Sequence, residues 1–210
     1  MDADFWHGLW ADQDIGFHQE NGNPLLARHF SALDLPTGAR IFVPLCGKTG
    51  DIGWLLAQGH TVAGCELSET AVQQLFAELG VAPQITDIPP LKHYAAPGLD
   101  IYVGDIFALT RDTLGPVAAT YDRAALVALP ESMRANYAAH LADMTAGAPQ
   151  ILITFAYDQS KMDGPPFAIP ASLVRTLYGA AYQITPLEEI HFKGLLRGEV
   201  EATEAVYLLA

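Results

Sequence analysis

Basic residues and cysteines are scarce in this sequence. Of its 210 residues, 11 are Lys or Arg and 24 are Asp or Glu, which gives a formal net charge of −13. Because phosphate binding needs basic side chains that displace counterions, this balance argues against a nucleic-acid-binding surface. The only cysteines, Cys46 and Cys65, fall at the ends of apolar segments. We expect them to be reduced thiols that line the core of a cytoplasmic protein.

Long apolar runs, internal repeats and low-complexity segments are also lacking. Without a run of about 18 apolar residues, no membrane span is expected, and the opening MDADFWHGLW does not have the pattern of a secretory signal. The dispersed histidines suggest no metal site. Half of the residues are apolar, enough for a sizeable core. The sequence therefore predicts a monomeric cytoplasmic protein with one domain, 1–210, in which residues 1–38 form a cover and 39–210 the core.

From residue 39 onward, short β-rich runs alternate with amphipathic stretches, which predicts an α/β fold. Predicted helices occupy 47–59, 68–80, 130–144 and 170–179. Predicted strands are 39–46, 61–67, 99–105, a part of 118–129, 150–158, and two near 182–190 and 202–210. This alternation favours a Rossmann-like, doubly wound, mostly parallel sheet with helices on both faces. Such folds bind ligands at the carboxyl ends of their strands.

The turn after the first predicted strand, PLCGKTGD (44–51), has features of a ligand site. Gly47 lets the backbone bend and approach a ligand closely, and the N–H groups of the helix that follows can bind polar atoms. Glu66, nineteen residues later, ends the second predicted strand. An acidic residue there can accept hydrogen bonds from both hydroxyls of a ribose. The pair indicates a ligand built on adenosine.

Two other nucleotide sites fit this turn less well. A P-loop needs a glycine five residues before Gly47, where the sequence has Phe42. A dinucleotide site needs a third glycine, whereas this turn has only Gly47 and Gly50. A ligand without phosphates tolerates the bulkier turn, and S-adenosylmethionine is such a ligand. A pyridine-nucleotide oxidoreductase stays as an alternative.

Two further groups of residues have open interpretations. Asp105, at the end of the third predicted strand, could reach an adenine ring on which Ile106 packs, or could simply cap a turn. Trp6, Trp10 and Phe17 precede the first strand. They could form an aromatic cover over a ligand or pack against the sheet.

Several segments together resemble the thiopurine S-methyltransferase family. They are FWHGLWADQDIGFHQENGNPLL, FVPLCGKTGDIGWLLAQGHTVAGCELS, YDRAALVALP and AYDQSKMDGPPFAIP. Any one motif alone is weak, whereas PLCGK, GH, E-x-S and DRAALVAL in this order are specific. The resemblance implies the class I methyltransferase fold, with a seven-stranded sheet, an antiparallel last strand and a short helical N-terminal cover. It also implies S-adenosylmethionine as cofactor and S-adenosylhomocysteine as product.

The resemblance also implies roles for individual residues. Trp10, Leu45, Glu66 and Arg123 fall on positions that contact the cofactor, and Trp6, Gly47, Asp105 and Ile106 are additional candidates. On the acceptor side the candidates are Phe17, Arg123, Pro165 and Pro166. Thr49, Gly50 and Cys65 depart mildly from the family pattern. The tail after residue 180 matches less clearly, so no acceptor residue is taken from it. His191, Lys193 and Arg197 stay unassigned, with a solvated surface position as the default interpretation.

The implied activity is S-methylation of thiopurines and other aromatic heterocyclic thiols, with selenium or tellurium oxyanions as further acceptors. Since such acceptors are already partly ionised near neutral pH, no obligatory base is predicted, and His18 and Asp158 are the candidates if one exists. Beside Asp122, Arg123 could form an ion pair or stabilise an anionic acceptor. The alternatives are a methyltransferase of halide or thiocyanate and a non-catalytic protein that binds an adenosyl ligand.

Overall fold

Short strands and helices alternate along the chain, as the sequence predicts. The computed structural model describes residues 3–12, 15 and 22–210. The helices are α1 (Ala3–Ala11), α2 (Pro24–His29), α3 (Gly50–Ala57), α4 (Glu69–Glu78), α5 (Arg111–Leu114), α6 (Glu131–Met144) and α7 (Ala171–Tyr178). The strands are β1 (Arg40–Pro44), β2 (Thr61–Glu66), β3 (Gln84–Ile88), β4 (Leu91–Ala96), β5 (Leu99–Val103), β6 (Ala119–Arg123), β7 (Gln150–Ala156), β8 (Ile184–His191) and β9 (Thr203–Leu209).

All of these strands join one sheet in the order β3-β4-β5-β2-β1-β6-β7-β9-β8. The five central strands, β5-β2-β1-β6-β7, are parallel, and β9 runs antiparallel to β7. Strand order reverses at β1, so the two halves of the sheet diverge on either side of it. The predicted doubly wound sheet with an antiparallel last strand is confirmed. Its switch point puts a ligand site at the carboxyl ends of β1 and its neighbours.

Helices cover both faces of the sheet because successive residues of a strand point to opposite sides. On β1, Ile41 packs into a cluster with Leu25 of α2 and Leu55 of α3. Phe42 points the other way, into a cluster with Tyr137 of α6. Each of these side chains is fully buried, and burial of one such side chain contributes about 1.5–3 kcal/mol. The two layers fix β1 from both sides and thereby the turn that follows it.

The predicted count of seven strands is wrong, since the described residues contain nine. The additional pair is the hairpin β3–β4, which pairs antiparallel with β5 through β4. Four of the five β3 residues are exposed, and the Ile85 side chain is 54% exposed. The hairpin therefore has no alternation of buried and exposed apolar residues that a sequence reading could detect. It is held in place by backbone pairing of β4 to β5 and by the buried side chains of Leu91 and Tyr94 on β4.

Both cysteines are buried and unpaired, as predicted. Burial raises the pKa of each thiol, and the Glu66 carboxylate adds to the effect. Thiols with raised pKa values contain little thiolate and are poor nucleophiles. Cys46 and Cys65 therefore act as core residues. In the part of the chain that the structure describes, no helix has the length and apolar character needed to cross a bilayer.

Candidate active site

The residues 44–51, here called the glycine corner, turn the chain sharply at the carboxyl edge of the sheet. Leu45 and Gly47 both adopt left-handed backbone, with φ of 44° and 51°. The Cys46 N–H donates to the carbonyl of Cys65 on β2 at 3.0 Å, and the Thr49 hydroxyl then caps α3 by accepting the Asp51 N–H. A left-handed leucine costs about 1–3 kcal/mol and is typical of functional sites. The surrounding contacts therefore hold the corner in one conformation.

Glu66, the last residue of β2, points into this corner. Its Oε2 accepts the Gly47 N–H at 2.7 Å and its Oε1 accepts the Ser68 N–H at 2.8 Å. The residue is only 6% exposed. Burial raises the pKa of the carboxyl group, whereas the backbone N–H groups and the nearby His7 oppose the rise. A carboxylate offers about four acceptor positions, so this one retains capacity for the hydroxyls of a ligand.

Helix α1 lies over the glycine corner. Trp10 is 2% exposed, and a Cβ built on Gly47 would lie 2.9 Å from Trp10 Cζ2. Gly47 is thus required by close packing as well as by its backbone conformation. Trp6 is half-buried and contacts the Phe5 ring edge-on, with 5.2 Å between the centroids. Phe17 lies outside the described residues.

A cavity of about 580 Å³ opens beside Glu66. Its walls come from the residues that follow β2, from the β3–β4 hairpin, from the end of β5 and from α1. They include His7, Leu67, Ser68, Pro90, Leu91 and Val103. The volume lies within the range of small-ligand sites. None of these residues was predicted to line a ligand site. Only Leu67 and Ser68 had a signal in the sequence, because they directly follow Glu66.

Asp105 and Ile106 follow β5 on the far side of Glu66. Asp105 is exposed, and its Oδ1 accepts the Phe107 N–H at 3.0 Å, so it caps the short turn Ile106–Ala108. Ile106 is buried, and its carbonyl oxygen lies 2.9 Å from Nε2 of His140. The turn-capping interpretation of Asp105 is thus realised. Ile106 belongs to a core cluster, and neither residue lines the cavity beside Glu66.

Asp122 and Arg123 point to opposite faces of the sheet, as adjacent strand residues must. The buried Asp122 carboxylate accepts the Tyr137 hydroxyl at 2.8 Å and the Leu126 N–H at 3.1 Å. Burial raises the pKa of Asp122 to about 6. Arg123 lies on the other face, where its charge acts on the 8%-exposed Glu204 of β9. The positive charge of Arg123 therefore lies beside the Glu204 carboxyl group.

The loop 157–168 follows β7 and is here called the acceptor loop. Side-chain hydrogen bonds to the carbonyl groups of two successive residues hold this loop in place. The Tyr157 hydroxyl donates to the Pro166 carbonyl at 2.6 Å, and Arg197 Nη1 donates to the Pro165 carbonyl at 2.7 Å. The Phe167 N–H bonds to the Val127 carbonyl beyond β6. Arg197 is exposed, as predicted, but the prediction missed its bond to the loop. The β8–β9 connection thereby supports the loop that contains both candidate prolines.

Of the two candidate bases, Asp158 and His18, only Asp158 is among the described residues. Asp158 is exposed and accepts both the N–H and the hydroxyl of Ser160. These bonds hold the pKa of Asp158 below its ordinary value, which makes it a weak proton acceptor at neutral pH. His18 lies outside the described residues. His191 and Lys193 are exposed, as predicted.

Comparison with known proteins decides the family. A family model described as thiopurine S-methyltransferase matches residues 1–208. A thiopurine S-methyltransferase of Xanthobacter autotrophicus is 55% identical over 210 residues, covering 100% of this chain and 99% of the relative. One from Teredinibacter turnerae is 50% identical, with 100% and 98% covered. The chain belongs to the thiopurine S-methyltransferase family. The predicted family is thus confirmed, and the protein is an S-adenosylmethionine-dependent methyltransferase.

Solved structures agree on the fold. The chain is similar to the 1,6-didemethyltoxoflavin-N1-methyltransferase of Burkholderia thailandensis, crystallised with bound 1,6-didemethyltoxoflavin and S-adenosylhomocysteine. The TM-score is 0.66 at 14% identity, covering 99% of this chain and 87% of that one. It is also similar to a TehB-like methyltransferase of Corynebacterium glutamicum, with a TM-score of 0.56 at 18% identity and 98% and 94% covered. At these identities the likeness shows a common fold, that of class I methyltransferases.

The sheet order of this thiopurine methyltransferase family member lays the candidate residues along one edge. Asp105 follows β5, Glu66 ends β2, Gly47 follows β1, Arg123 ends β6 and Pro166 follows β7. Strands lie about 4.8 Å apart, so this row is roughly 19 Å long. Gly47 contacts both Trp10 and Glu66 directly.

The residues of the corner fit S-adenosylmethionine. A buried carboxylate with acceptor capacity faces a corner that admits close backbone approach, and a cavity adjoins it. Glu66 would hold the ribose, while the cofactor supplies a methyl group bound to a positively charged sulfur. In the described part of the chain, no cluster of His, Cys, Asp and Glu is arranged to hold a metal ion.

Proposed function

We propose that this protein transfers the methyl group of S-adenosylmethionine to the sulfur of thiopurines and other heteroaromatic thiols. The observation that supports the site most directly is the convergence of Glu66 and Gly47, with 2.7 Å between carboxylate oxygen and amide nitrogen, beneath Trp10. Family membership supports the acceptor class. The proposal assigns the cofactor half to residues from α1, β1, β2 and β5, and the acceptor half to residues after β6 and β7.

In the proposed cofactor half, Glu66 accepts the ribose hydroxyls and the cavity beside Leu67 takes the adenine. Asp105 and Ile106 follow β5, whose last residue, Val103, lines that cavity. Leu45 and Gly47 form one wall, which Trp10 supports by packing on Gly47, and Trp6 is a further aromatic wall. We propose that residues 1–38 act as a cover and 39–210 as the core of one domain. In this proposal Arg123, at the end of β6, lies next to the reacting centre.

Methyl transfer from a sulfonium is an in-line displacement. The acceptor sulfur's electron pair forms the new S–C bond, while the electrons of the broken bond return to the leaving sulfur. Since the methyl group is already activated, the chain's contribution is mainly to orient acceptor and cofactor. Thiopurine-type thiols ionise near neutral pH, so no base is assigned, in keeping with the weak basicity of Asp158.

The acceptor half favours a flat heterocycle over an oxyanion. Arg123 can stabilise an anionic acceptor of either kind through charge-assisted hydrogen bonds, and the neighbouring Glu204 offsets part of its charge. Pro166, with Phe17 as the aromatic partner implied by the family, provides an apolar wall for a flat ring. Selenium and tellurium oxyanions are therefore proposed as secondary acceptors.

Transfer of a radiolabelled methyl group tests this proposal. The acceptors compared are a thiopurine, an aliphatic thiol, selenite, tellurite, iodide and thiocyanate. We expect the highest kcat/KM for the thiopurine and lower values for the oxyanions. Preference for iodide or thiocyanate would instead assign a small-anion methyltransferase, and cofactor binding without transfer to any acceptor would assign a binding protein. Calorimetric titration with S-adenosylhomocysteine and with NAD separates the oxidoreductase alternative.

We also propose that the enzyme acts as a monomer in the cytoplasm. The two buried, unpaired thiols suit a reducing compartment. Light scattering coupled to size-exclusion chromatography checks the mass, which is 22.6 kDa for one chain.

A further inference from the structure

One buried carboxylate at the glycine corner has no role in the cofactor or acceptor assignments above. Asp51, in the first turn of α3, is 1% exposed. Its Oδ2 accepts the hydroxyls of Tyr121 at 2.9 Å and Thr49 at 3.1 Å. Its Oδ1 accepts the backbone N–H of Asn23 at 2.5 Å. A buried carboxylate is costly unless its oxygens are hydrogen-bonded, and here the donors come from three separate parts of the chain.

The Asn23 contact joins the segment before α2 to the corner. Asn23 is buried and caps α2, because its Oδ1 accepts the Leu25 N–H at 2.8 Å. Its neighbour Gly22 has φ of 72°, and a Cβ built there would lie 2.9 Å from Asp51 Oδ1. The chain therefore passes directly over the carboxylate, at a distance that only glycine permits.

The N-terminal part of the chain thus contacts the glycine corner at two positions, Gly47 and Asp51. Trp10 of α1 packs on Gly47, and Asn23 bonds to Asp51. Tyr121, the third partner of this carboxylate network, lies two residues before Arg123 on β6. A change in the conformation of the corner would therefore alter its contacts with α1, with the start of α2 and with β6, the strand that ends in Arg123.

We propose that Asp51 is a positioning residue that couples the attachment of the segment before α2 to the conformation of the glycine corner. Cofactor binding at the corner then stabilises the Asn23 attachment, and the attachment in turn strengthens cofactor binding, since coupling between sites is reciprocal. This inference rests on the proposed function, because it needs the cofactor to bind at the corner. It adds a residue that acts through others and contacts no reacting atom.

Two independent variants break the attachment. Asp51→Asn keeps the size of the side chain but replaces one acceptor oxygen by a donor. Gly22→Ala leaves the carboxylate intact and adds the Cβ that would clash with it. For each we expect about tenfold weaker binding of S-adenosylhomocysteine by calorimetry, within the usual range for coupled sites. In the wild type, S-adenosylhomocysteine should slow hydrogen exchange of the Leu25 and Leu26 amides; in both variants this slowing should be lost.

Thr145→Val is the matched control. It removes one buried hydrogen bond, from the Thr145 hydroxyl to the Leu141 carbonyl at 2.8 Å, at the opposite edge of the sheet. It should lower Tm but leave the Kd for S-adenosylhomocysteine and the ligand-induced slowing unchanged. If Asp51→Asn and Gly22→Ala behave like this control, Asp51 is only structural and the inference falls. If the wild type itself fails to bind S-adenosylhomocysteine, the proposed function falls as well.

Discussion

The proposed cofactor half and the proposed acceptor half of the site are built in different ways. In the cofactor half, Glu66 ends a strand and Gly47 lies in a short turn between a strand and a helix, and a direct hydrogen bond joins them. In the acceptor half, the prolines belong to the long acceptor loop. Side chains such as Tyr157 and the exposed Arg197 hold its carbonyl groups. The first arrangement is set by the sheet, whereas the second is set by loop contacts.

This difference suggests a division of labour. Groups on strand ends are positioned by the packing of the whole core, which tolerates little movement. Loops accept sequence change more easily and commonly determine which substrate binds. We therefore expect substitutions in the cofactor half to affect every acceptor equally and strongly. Substitutions in the acceptor half should have smaller effects that depend on the acceptor.

The largest effect is expected for Glu66→Ala. Hydrogen bonds to a charged group contribute about 1.5–3 kcal/mol each, so loss of two ribose contacts should weaken S-adenosylhomocysteine binding by at least about 100-fold. Calorimetry measures the Kd, and circular dichroism monitors the fold. Asp143→Asn is the control, since Asp143 is an exposed carboxylate that pairs with Arg111, away from the corner. A Kd of Glu66→Ala for S-adenosylhomocysteine within threefold of the wild-type value would show that Glu66 does not bind the ribose.

Much of this cofactor half is readable in the sequence, because its signals are local. Short β-rich runs between amphipathic stretches revealed the five central strands, and the spacing of Gly47 and Glu66 predicted an adenosine site. The β3–β4 hairpin could not be found this way, since backbone pairing holds an exposed strand such as β3. Asp51 was also missed because its partners Asn23 and Tyr121 lie 28 and 70 residues away. Such contacts exist only once the sheet order is known.

The acceptor half was less readable for the same reason. Arg197 was interpreted as a solvated residue, yet it bonds to Pro165, 32 residues earlier. No local pattern predicts a hydrogen bond between two connections on neighbouring strands. Asp122 and Arg123 show the opposite case: strand alternation alone says that they face opposite sides of the sheet, and the contacts of Asp122 with Tyr137 and Leu126 agree.

An intermediate effect is expected for Arg123→Ala, at the boundary between the halves. Loss of a charge-assisted contact to the acceptor should lower kcat/KM for an ionised thiopurine by about 30-fold or more. Tm should change little, and Arg123→Lys should restore part of the activity. Steady-state kinetics and thermal unfolding are compared with Arg111→Ala, which removes an exposed arginine bound to Asp143. Losses of turnover that merely follow the loss of folded protein would contradict a direct role for Arg123.

The smallest effect is expected for Tyr157→Phe, which tests the acceptor loop. Burial raises the pKa of the Tyr157 hydroxyl, so it stays protonated at neutral pH and donates to the Pro166 carbonyl. A neutral hydrogen bond contributes about 0.5–1.5 kcal/mol, so we expect KM for the thiopurine to rise about two- to tenfold. The Kd for S-adenosylhomocysteine should stay the same. Tyr182→Phe changes a buried tyrosine at the far edge of the sheet and should leave both constants unchanged.

If Tyr157→Phe instead weakened cofactor binding and acceptor binding equally, the loop would be coupled to the glycine corner. The two halves would then have to be treated as one rigid site.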